Sequence, residues 1–342
     1  MSEQIILITG GAGYIGSHTI VALDKLADCK IISVDNYSNS TAKTYERIKS
    51  IIGKEIDFIE ADLSVREDVE KVFKKYPGIT GVIHFAALKS VPESILNPVA
   101  YYRNNINSLL NVLQVGKDNG VNYFIFSSSC SVYGNISELP VDEKTPVGNV
   151  ESPYAYTKVI GEKIMEDVIN SVDSMKGIAL RYFNPVGAHE SGNLGELSNQ
   201  RPNNLVPVIT QTAIGKIEKM QVFGSDYPTR DGTCVRDYIH VSDIAEAHVK
   251  ALEFLIENNS AAKFDIINLG SGEGVTVREA IGEFEKVSGK KLNYEMVGRR
   301  TGDVVAIYSD SSKAEKILGW KATRSLTEMM ASAWKWELNP NK

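Results

Sequence analysis

The chain has 342 residues, 37 Lys+Arg against 43 Asp+Glu, a formal net charge of -6 and 43% hydrophobic residues, ordinary usage for one large or two coupled globular domains. The acidic balance excludes a general nucleic-acid binder, which needs a basic face, and no apolar run approaches the roughly 20 residues of a membrane helix. Cys29, Cys130 and Cys234 are odd in number and widely spaced; they fit neither a disulfide framework nor a zinc site and suit a reducing, cytoplasmic setting. The histidines lack metal-ligand spacing, so no metal is expected. The first apolar run, Ile5–Ile8, is too short for a signal peptide.

Short runs rich in Val, Ile, Leu and Phe predict strands at Ile5–Thr9, Lys30–Val34, Ile56–Glu60, Gly81–Phe85, Asn122–Ser127, Gly177–Phe183 and Asp265–Leu269. Their near-continuous apolar character suits strands covered on both faces. Helical patterns lie between them, at Tyr14–Ala27, Pro98–Asp118 and Pro153–Val172. This alternation predicts an α/β fold with a Rossmann-type doubly wound parallel sheet. The rhythm breaks after Asn184. Residues 185–236 are rich in Gly, Asn and Pro, with one helical pattern at Leu205–Ile217, and further helices are predicted at Ser242–Glu257, Val277–Val287 and Leu326–Trp336. We therefore divide the chain into a nucleotide-binding domain, 1–184, and a smaller mixed α/β C-terminal lobe, 185–342. The boundary is soft, with an element or two exchanged.

The first strand runs into Gly10-Gly11-Ala12-Gly13-Tyr14-Ile15-Gly16 and then a helix. Glycines at this spacing allow a tight turn, close approach to a pyrophosphate and tight helix–strand packing. The helix N-terminus offers free N–H groups to the phosphates. Asp35 closes the second strand. A carboxylate there accepts from a ribose diol and repels a 2′-phosphate, which favours NAD over NADP. Asp62-Leu63, past the third strand, is placed to hold the adenine edge.

Tyr154 and Lys158 form a Y-x-x-x-K pair at the start of a predicted helix. Residues i and i+4 share a face, so phenol and ammonium can reach one ligand. The ammonium is expected to lower the tyrosine pKa, readying it to take a proton from an alcohol. Alone the pair is a common spacing that also describes a solvated helix face. Its context is the strand ending in Ser127-Ser128-Ser129, at the sheet edge where open α/β folds bind ligands. Ser129 taken alone reads as a polar strand end.

Together these features resemble the extended short-chain dehydrogenase/reductase family. Longer segments resemble the UDP-glucose 4-epimerases: Gly10–His18 (GGAGYIGSH), Val82–Lys89 (VIHFAALK), Phe126–Gly134 (FSSSCSVYG), Arg181–His189 (RYFNPVGAH), Pro202–Leu205 (PNNL), Val235–Val241 (VRDYIHV) and Arg299–Asp303 (RRTGD). The similarity spans residues 5–336. It implies reversible epimerisation at C4 of UDP-glucose and UDP-galactose through a transient 4-keto sugar, with bound NAD. Tyr154 would be the base, Ser129 would assist the proton transfer, and Lys158 would hold the nicotinamide ribose. The resemblance assigns NAD contacts to Gly10, Gly13, Tyr14, Ile15, Gly16, Asp35, Asn36, Asp62, Leu63, Phe85, Ala86, Lys89, Asn104, Tyr154, Lys158 and Tyr182. It assigns the UDP-sugar to Lys89, Ser129, Tyr154, Asn184, Asn204, Leu205, Phe223, Arg236, Arg300, Asp303 and Ile307. The arginines suit phosphates because a planar guanidinium donates paired hydrogen bonds.

The chain departs from the family pattern at Ala87, Pro92 and the loop Gly195–Arg201. Ile307 is the informative departure. This position borders the sugar C2 substituent in the family, where Tyr goes with UDP-glucose/galactose alone and a small residue also admits N-acetyl sugars. Ile is intermediate, so UDP-galactose is the expected main substrate, with room left for UDP-GlcNAc and UDP-GalNAc. Sugar 4,6-dehydratases carry an Asp-Glu pair immediately after the serine or threonine, where this chain has Cys130-Ser131, which argues against dehydration. A silent NAD-binding scaffold would be marked by loss of the Tyr or Lys, and both are present. The resemblance further implies a homodimer through the helices Pro98–Asp118 and Pro153–Val172.

Overall fold

The computed structural model describes residues 4–26, 29–147, 149–197, 202–257 and 262–340. In chain order the strands are β1 (Gln4–Thr9), β2 (Cys29–Asp35), β3 (Asp57–Glu60), β4 (Gly81–His84), β5 (Tyr123–Ser129), β6 (Lys176–Tyr182), β7 (Asn184–Val186), β8 (Met220–Phe223), β9 (Val235–His240), β10 (Phe264–Leu269), β11 (Gly274–Thr276), β12 (Tyr294–Val297) and β13 (Ala306–Ile307). Seven of them form one sheet in the order β10-β6-β5-β4-β1-β2-β3, every neighbouring pair parallel. Separate apolar clusters, one around Ile8, Ile83 and Leu180 and another around Leu7, Val82 and Phe124, pack against the sheet. This is the doubly wound Rossmann-type fold.

The strand order reverses between β1 and β4, and the crevice there opens the main cleft. Thr9 pins this point: its Oγ1 accepts from the N–H groups of Phe85 and Ala86, at 3.1 and 3.2 Å.

β10 comes from the C-terminal half yet pairs with β6, and the helix Val241–Glu257 packs on the helix Tyr14–Leu23. The remaining strands build a small sheet around β9, flanked by β11 and β13 with β7 also paired to β9, and a separate β8–β12 pair. An apolar cluster around Ile209, Tyr238, Phe284 and Met330 underlies this lobe.

Several element ends differ from expectation, and the helix that begins at Leu205 stops at Ala213, short of the expected Ile217, because the chain turns at Gly215 with φ +79. β5 runs on through Ser129, because Ser127–Ser129 are paired in register with Leu180–Tyr182 and a satisfied ladder overrides polar side chains. The first helix stops at Leu23, short of the expected Ala27, which lies outside the described residues. The helix Pro153–Asn170 is begun by Ser152, whose hydroxyl accepts from Ala155 N at 3.2 Å, with Pro153 in its first turn. That cap fixes where Tyr154 sits.

Candidate functional site

A cleft of about 940 Å³ lies over the C-terminal edge of the sheet and is closed by the smaller lobe. That is the upper end of the range for ligand sites. Its glycine turn has no room for side chains. Gly10 has φ +69, and a Cβ there would lie 2.9 Å from Ala86 N; at Gly16 it would lie 2.4 Å from Gly10 O. Gly13 caps the following helix without a side-chain bond, and the first turn carries no acidic residue. Backbone N–H groups of Tyr14, Ile15 and Gly16 are thus left for an anion.

Asp35 ends β2 at the rim. Oδ2 accepts from Ala12 N at 3.0 Å, and Oδ1 accepts from Tyr37 N at 2.9 Å and Ser40 Oγ at 2.8 Å. The carboxylate is thereby held rigidly with acceptor capacity to spare. Asn36, Asp62 and Leu63 line the same end of the cleft, and Phe85, Ala86, Lys89 and Asn104 line its middle. Asp62 Oδ1 caps its own turn by accepting from Ser64 N at 2.9 Å. Asn104 donates to Asn105 Oδ1 at 3.0 Å.

The candidate catalytic residues meet where β5 joins the helix Pro153–Asn170. Lys158 is 4% exposed, and its Nζ donates to the Ser127 carbonyl at 2.6 Å and stands 5.8 Å from the Tyr154 ring centre. The Ser129 hydroxyl accepts from Ser131 N at 3.2 Å and stands near enough to the Tyr154 phenol to favour its ionised form. Tyr182 flanks them, its hydroxyl bonded to Ser127 Oγ.

The expected lowering of the tyrosine pKa is corrected here. Burial pushes Tyr154 up to about 12, and the Ser129 hydroxyl opposes this without winning. Burial also brings Lys158 down to about 8, with Glu162 opposing. In the chain by itself desolvation exceeds the attraction between ammonium and phenol. Tyr154 is a neutral acid at pH 7, and Lys158 is mostly charged.

At the other end Arg236, Arg300 and Asp303 meet. Arg300 donates to Asp303 from Nη2 at 2.8 Å and from Nε at 3.2 Å, and Arg236 Nη2 stands 3.8 Å from the same carboxylate. Arg236 Nη1 is anchored on the carbonyls of Val235 and Val304. Asn184 lines the cleft with its Oδ1 buried and without a partner among the described residues, so it awaits a donor. Ile307, 3% exposed, packs with Val132, Tyr133 and Phe183 and borders the cleft.

Two residues do not line the cleft. Leu205 begins a helix and packs into the core of the smaller lobe. Phe223 lies beneath the Arg300 guanidinium, 5.3 Å away, and so supports a cleft residue instead of forming the wall. Sequence reasoning also missed partners. Glu196 accepts from Lys89 Nζ at 2.9 Å and from Asn204 Nδ2 at 2.7 Å, tying the two lobes together across the cleft. Nothing in the sequence signals that contact. Glu162 could have been found, as a charge at i+4 from Lys158 on a helix face meant for the core. Of the unusual loop 195–201, residues 198–201 lie outside the described residues.

The family model described as GDP-mannose 4,6 dehydratase matches residues 7–333. The chain is 46% identical to a UDP-glucose 4-epimerase of Erwinia amylovora over 97% of both chains. It is 48% identical to one of Bacillus subtilis (strain 168), over 97% of this chain and 96% of that one. The crystal structure of UDP-glucose 4-epimerase from Bifidobacterium longum in complex with NAD+ and UDP superposes with a TM-score of 0.94, at 44% identity over 99% of both chains.

Proposed function

We propose that this chain, which belongs to the UDP-glucose 4-epimerase family of extended short-chain dehydrogenases/reductases, interconverts UDP-glucose and UDP-galactose using NAD. The observation that carries the reading is the Ser129–Tyr154–Lys158 cluster, in one cleft with the uncapped helix N-terminus and the Arg236–Arg300 pair. Where the family model's description names a dehydratase, the position for an acid/base pair holds Cys130 and Ser131. Burial pushes the Cys130 thiol up to about 12, so it carries no proton traffic at pH 7.

The residues present fit NAD. Gly10, Gly13 and Gly16 with the first helical turn hold the pyrophosphate, and Asp35 takes the adenosine ribose. Asn36, Asp62 and Leu63 border the adenine, while Phe85, Ala86, Lys89, Asn104, Lys158 and Tyr182 enclose the nicotinamide half. When bound, NAD supplies a reversible acceptor for the C4 hydride and a positive ring beside Tyr154. As the phenolate, favoured by the Lys158 ammonium and by the positive ring that bound NAD would add, Tyr154 Oη takes the proton of the sugar 4-hydroxyl, with Ser129 Oγ bridging the two oxygens. Lys158 keeps its charge near the phenol and favours the phenolate over the neutral form. The 4-keto sugar turns between Asn184, Asn204 and Ile307 while Arg236 and Arg300 hold the diphosphate. The proton then returns from Tyr154 Oη to the C4 oxygen of the sugar, whose turned ring presents its opposite face to the seat the nicotinamide would occupy. Asp303 is released from Arg300 to accept from the uridine ribose. NAD binding by residues 1–184 and UDP-sugar binding by 185–342 belong to the same proposal.

The protein acts as a homodimer in the cytoplasm. Leu96, at the end of the short helix Val91–Leu96, and Val99, in the first turn of the helix Pro98–Asp118, are 79% and 67% exposed, and Leu110 and Tyr156 add apolar surface on the helices Pro98–Asp118 and Pro153–Asn170. An open hollow between these helices is lined by Tyr102, Val147, Tyr156 and Val159. Such a face suits a second copy of the chain, and a sedimentation mass of one chain contradicts it. Cys130 and Cys234 are free thiols, which suits a reducing compartment. The deciding experiment is epimerisation by the purified protein without added NAD, with UDP-galactose and UDP-GalNAc in parallel. Absence of turnover on both, also after NAD is added back, refutes the reading.

A further inference from the structure

The helix that carries Tyr154 and Lys158 buries a third polar side chain one turn farther on. Glu162 is 6% exposed. Its Oε1 accepts from Arg181 Nε at 2.8 Å and from Ser128 Oγ at 2.5 Å, and its Oε2 accepts from Arg181 Nη2 at 2.7 Å. Arg181 also donates to the Tyr133 hydroxyl at 3.0 Å, which donates to Asn268 Oδ1 at 2.7 Å. Ser128 and Arg181 are register partners on β5 and β6. Their chain neighbours Ser127, Ser129 and Tyr182 all line the cleft.

A buried ion pair is a weak source of stability, because desolvating both charges offsets their attraction. An apolar pair of similar volume would hold helix to sheet at no such cost. What the pair adds is direction: a two-pronged guanidinium–carboxylate contact and a hydroxyl bond allow one register of the helix on the strands. That register sets how Tyr154 meets Ser129.

We propose that Glu162 is a positioning residue for the proton-transfer pair: braced by Arg181 and Ser128, it fixes the helix face bearing Tyr154 and Lys158 against the strand end bearing Ser129, and it supplies the anion facing the Lys158 ammonium. The proposal rests on the epimerase reading of the same site. The groups around Lys158 come from several elements. Its own helix brings Tyr154 and Glu162, and β5 brings the Ser127 carbonyl and the Phe126 ring. β4 brings His84, neutral because burial lowers its pKa to about 3. β6 brings the Tyr182 phenol and Arg181, whose cation is held by both Glu162 oxygens. The turn after β5 brings Cys130, which stays a thiol. Among the described residues Glu162 is the one anion that acts appreciably on Lys158, opposing the effect of burial.

The test uses the full-length, NAD-loaded protein and UDP-galactose. Glu162→Gln alone strands the Arg181 guanidinium, so it is paired with the double variant Glu162→Gln/Arg181→Met, which removes both charges and keeps the volume. The double variant is expected to fold and retain NAD by absorbance, with KM within about twofold of wild type and kcat lowered about tenfold or more. The pH above which kcat/KM falls is expected to drop by about one unit, since Lys158 loses its anion. Ser128→Ala removes one bond and no charge, and is expected to lower kcat about two- to fivefold. A folded double variant with the kcat and pH profile of wild type overturns the proposal. If the double variant does not fold, an unchanged Ser128→Ala overturns it and a slowed one supports it. Inactive wild-type protein refutes the epimerase reading and the proposal with it, whereas active wild type with indifferent variants refutes the proposal alone.

Discussion

Gly161 gives a direct measure of how closely the helix bearing Tyr154 and Lys158 must approach its strand. A Cβ added there would lie 2.5 Å from Phe126 Cζ and 2.9 Å from Cε1, with Leu109 Cδ2 at 3.4 Å. Ordinary contact begins at 3.4 Å, so the ring tip must retreat by 0.9 Å (3.4 − 2.5). Phe126 is 4% exposed and has little free space to enter. Such overpacking costs about 1–3 kcal/mol, while Gly→Ala in a helix interior returns about 1 kcal/mol. Gly161→Ala is therefore expected to be neutral to about 2 kcal/mol less stable. The effect on rate is larger. The Lys158 Nζ stands 5.0 Å from the centre of that ring and 2.6 Å from the Ser127 carbonyl, so a moved ring or a lifted helix displaces it. A misplacement near 1 Å costs on the order of 10²-fold in rate. Thermal unfolding and the initial rate of UDP-galactose conversion, resolved by chromatography, separate the two effects. A variant at least as stable as wild type with an unchanged kcat would refute the claim that helix–strand spacing sets the catalytic geometry.

Tyr154→Phe is expected to lower kcat by about 10²–10⁴-fold, with bound NAD and melting temperature unchanged; loss of NAD would move Tyr154 from chemistry to cofactor binding. Ile307→Tyr is expected to reduce UDP-GalNAc turnover relative to UDP-galactose, and a constant ratio would remove Ile307 as the C2 gate. Acid sensitivity follows from the buried imidazoles: burial lowers His18, His84 and His240 from 6.5 to about 3 and His248 to about 4. Below pH 6.5 the unfolded chain binds protons that the folded one does not, so stability falls as pH drops. At pH 5.5 each of the four histidines accounts for about 1.4 kcal/mol, roughly 5.5 kcal/mol together. Urea unfolding at pH 7.5 and 5.5 measures the difference, and a loss below about 2 kcal/mol contradicts the assignment.

Much of the parallel sheet was legible before folding. Its strands are nearly continuous apolar runs, and the helices between them begin at signals such as Ser152-Pro153, which local chemistry suffices to read. The short strands β7, β8, β9, β11 and β13 carried no such signal. They run two to six residues, and their ladders join segments far apart in the chain, as when Val235 pairs with both Thr276 and Ala306. The soft boundary has the same origin, since β10 joins β6 across more than eighty intervening residues.

The site divides along the same line. The glycine turn, Asp35 and the Tyr154–Lys158 spacing are local arrangements, so one stretch of chain carries both the residues and their geometry. For these the sequence by itself determined the fold class and where a dinucleotide seat is expected, while the reaction type came from the longer segments that resemble the epimerases. Burial is a collective property. That desolvation holds Tyr154 neutral, that Asp303 faces two arginines, and that Phe223 supports Arg300 from beneath depend on elements which only packing brings together. So does the bracing of Glu162 by Arg181 and Ser128. These were decided by the tertiary structure, because hydrogen-bond partners and dielectric surroundings exist only once distant segments have excluded water between them.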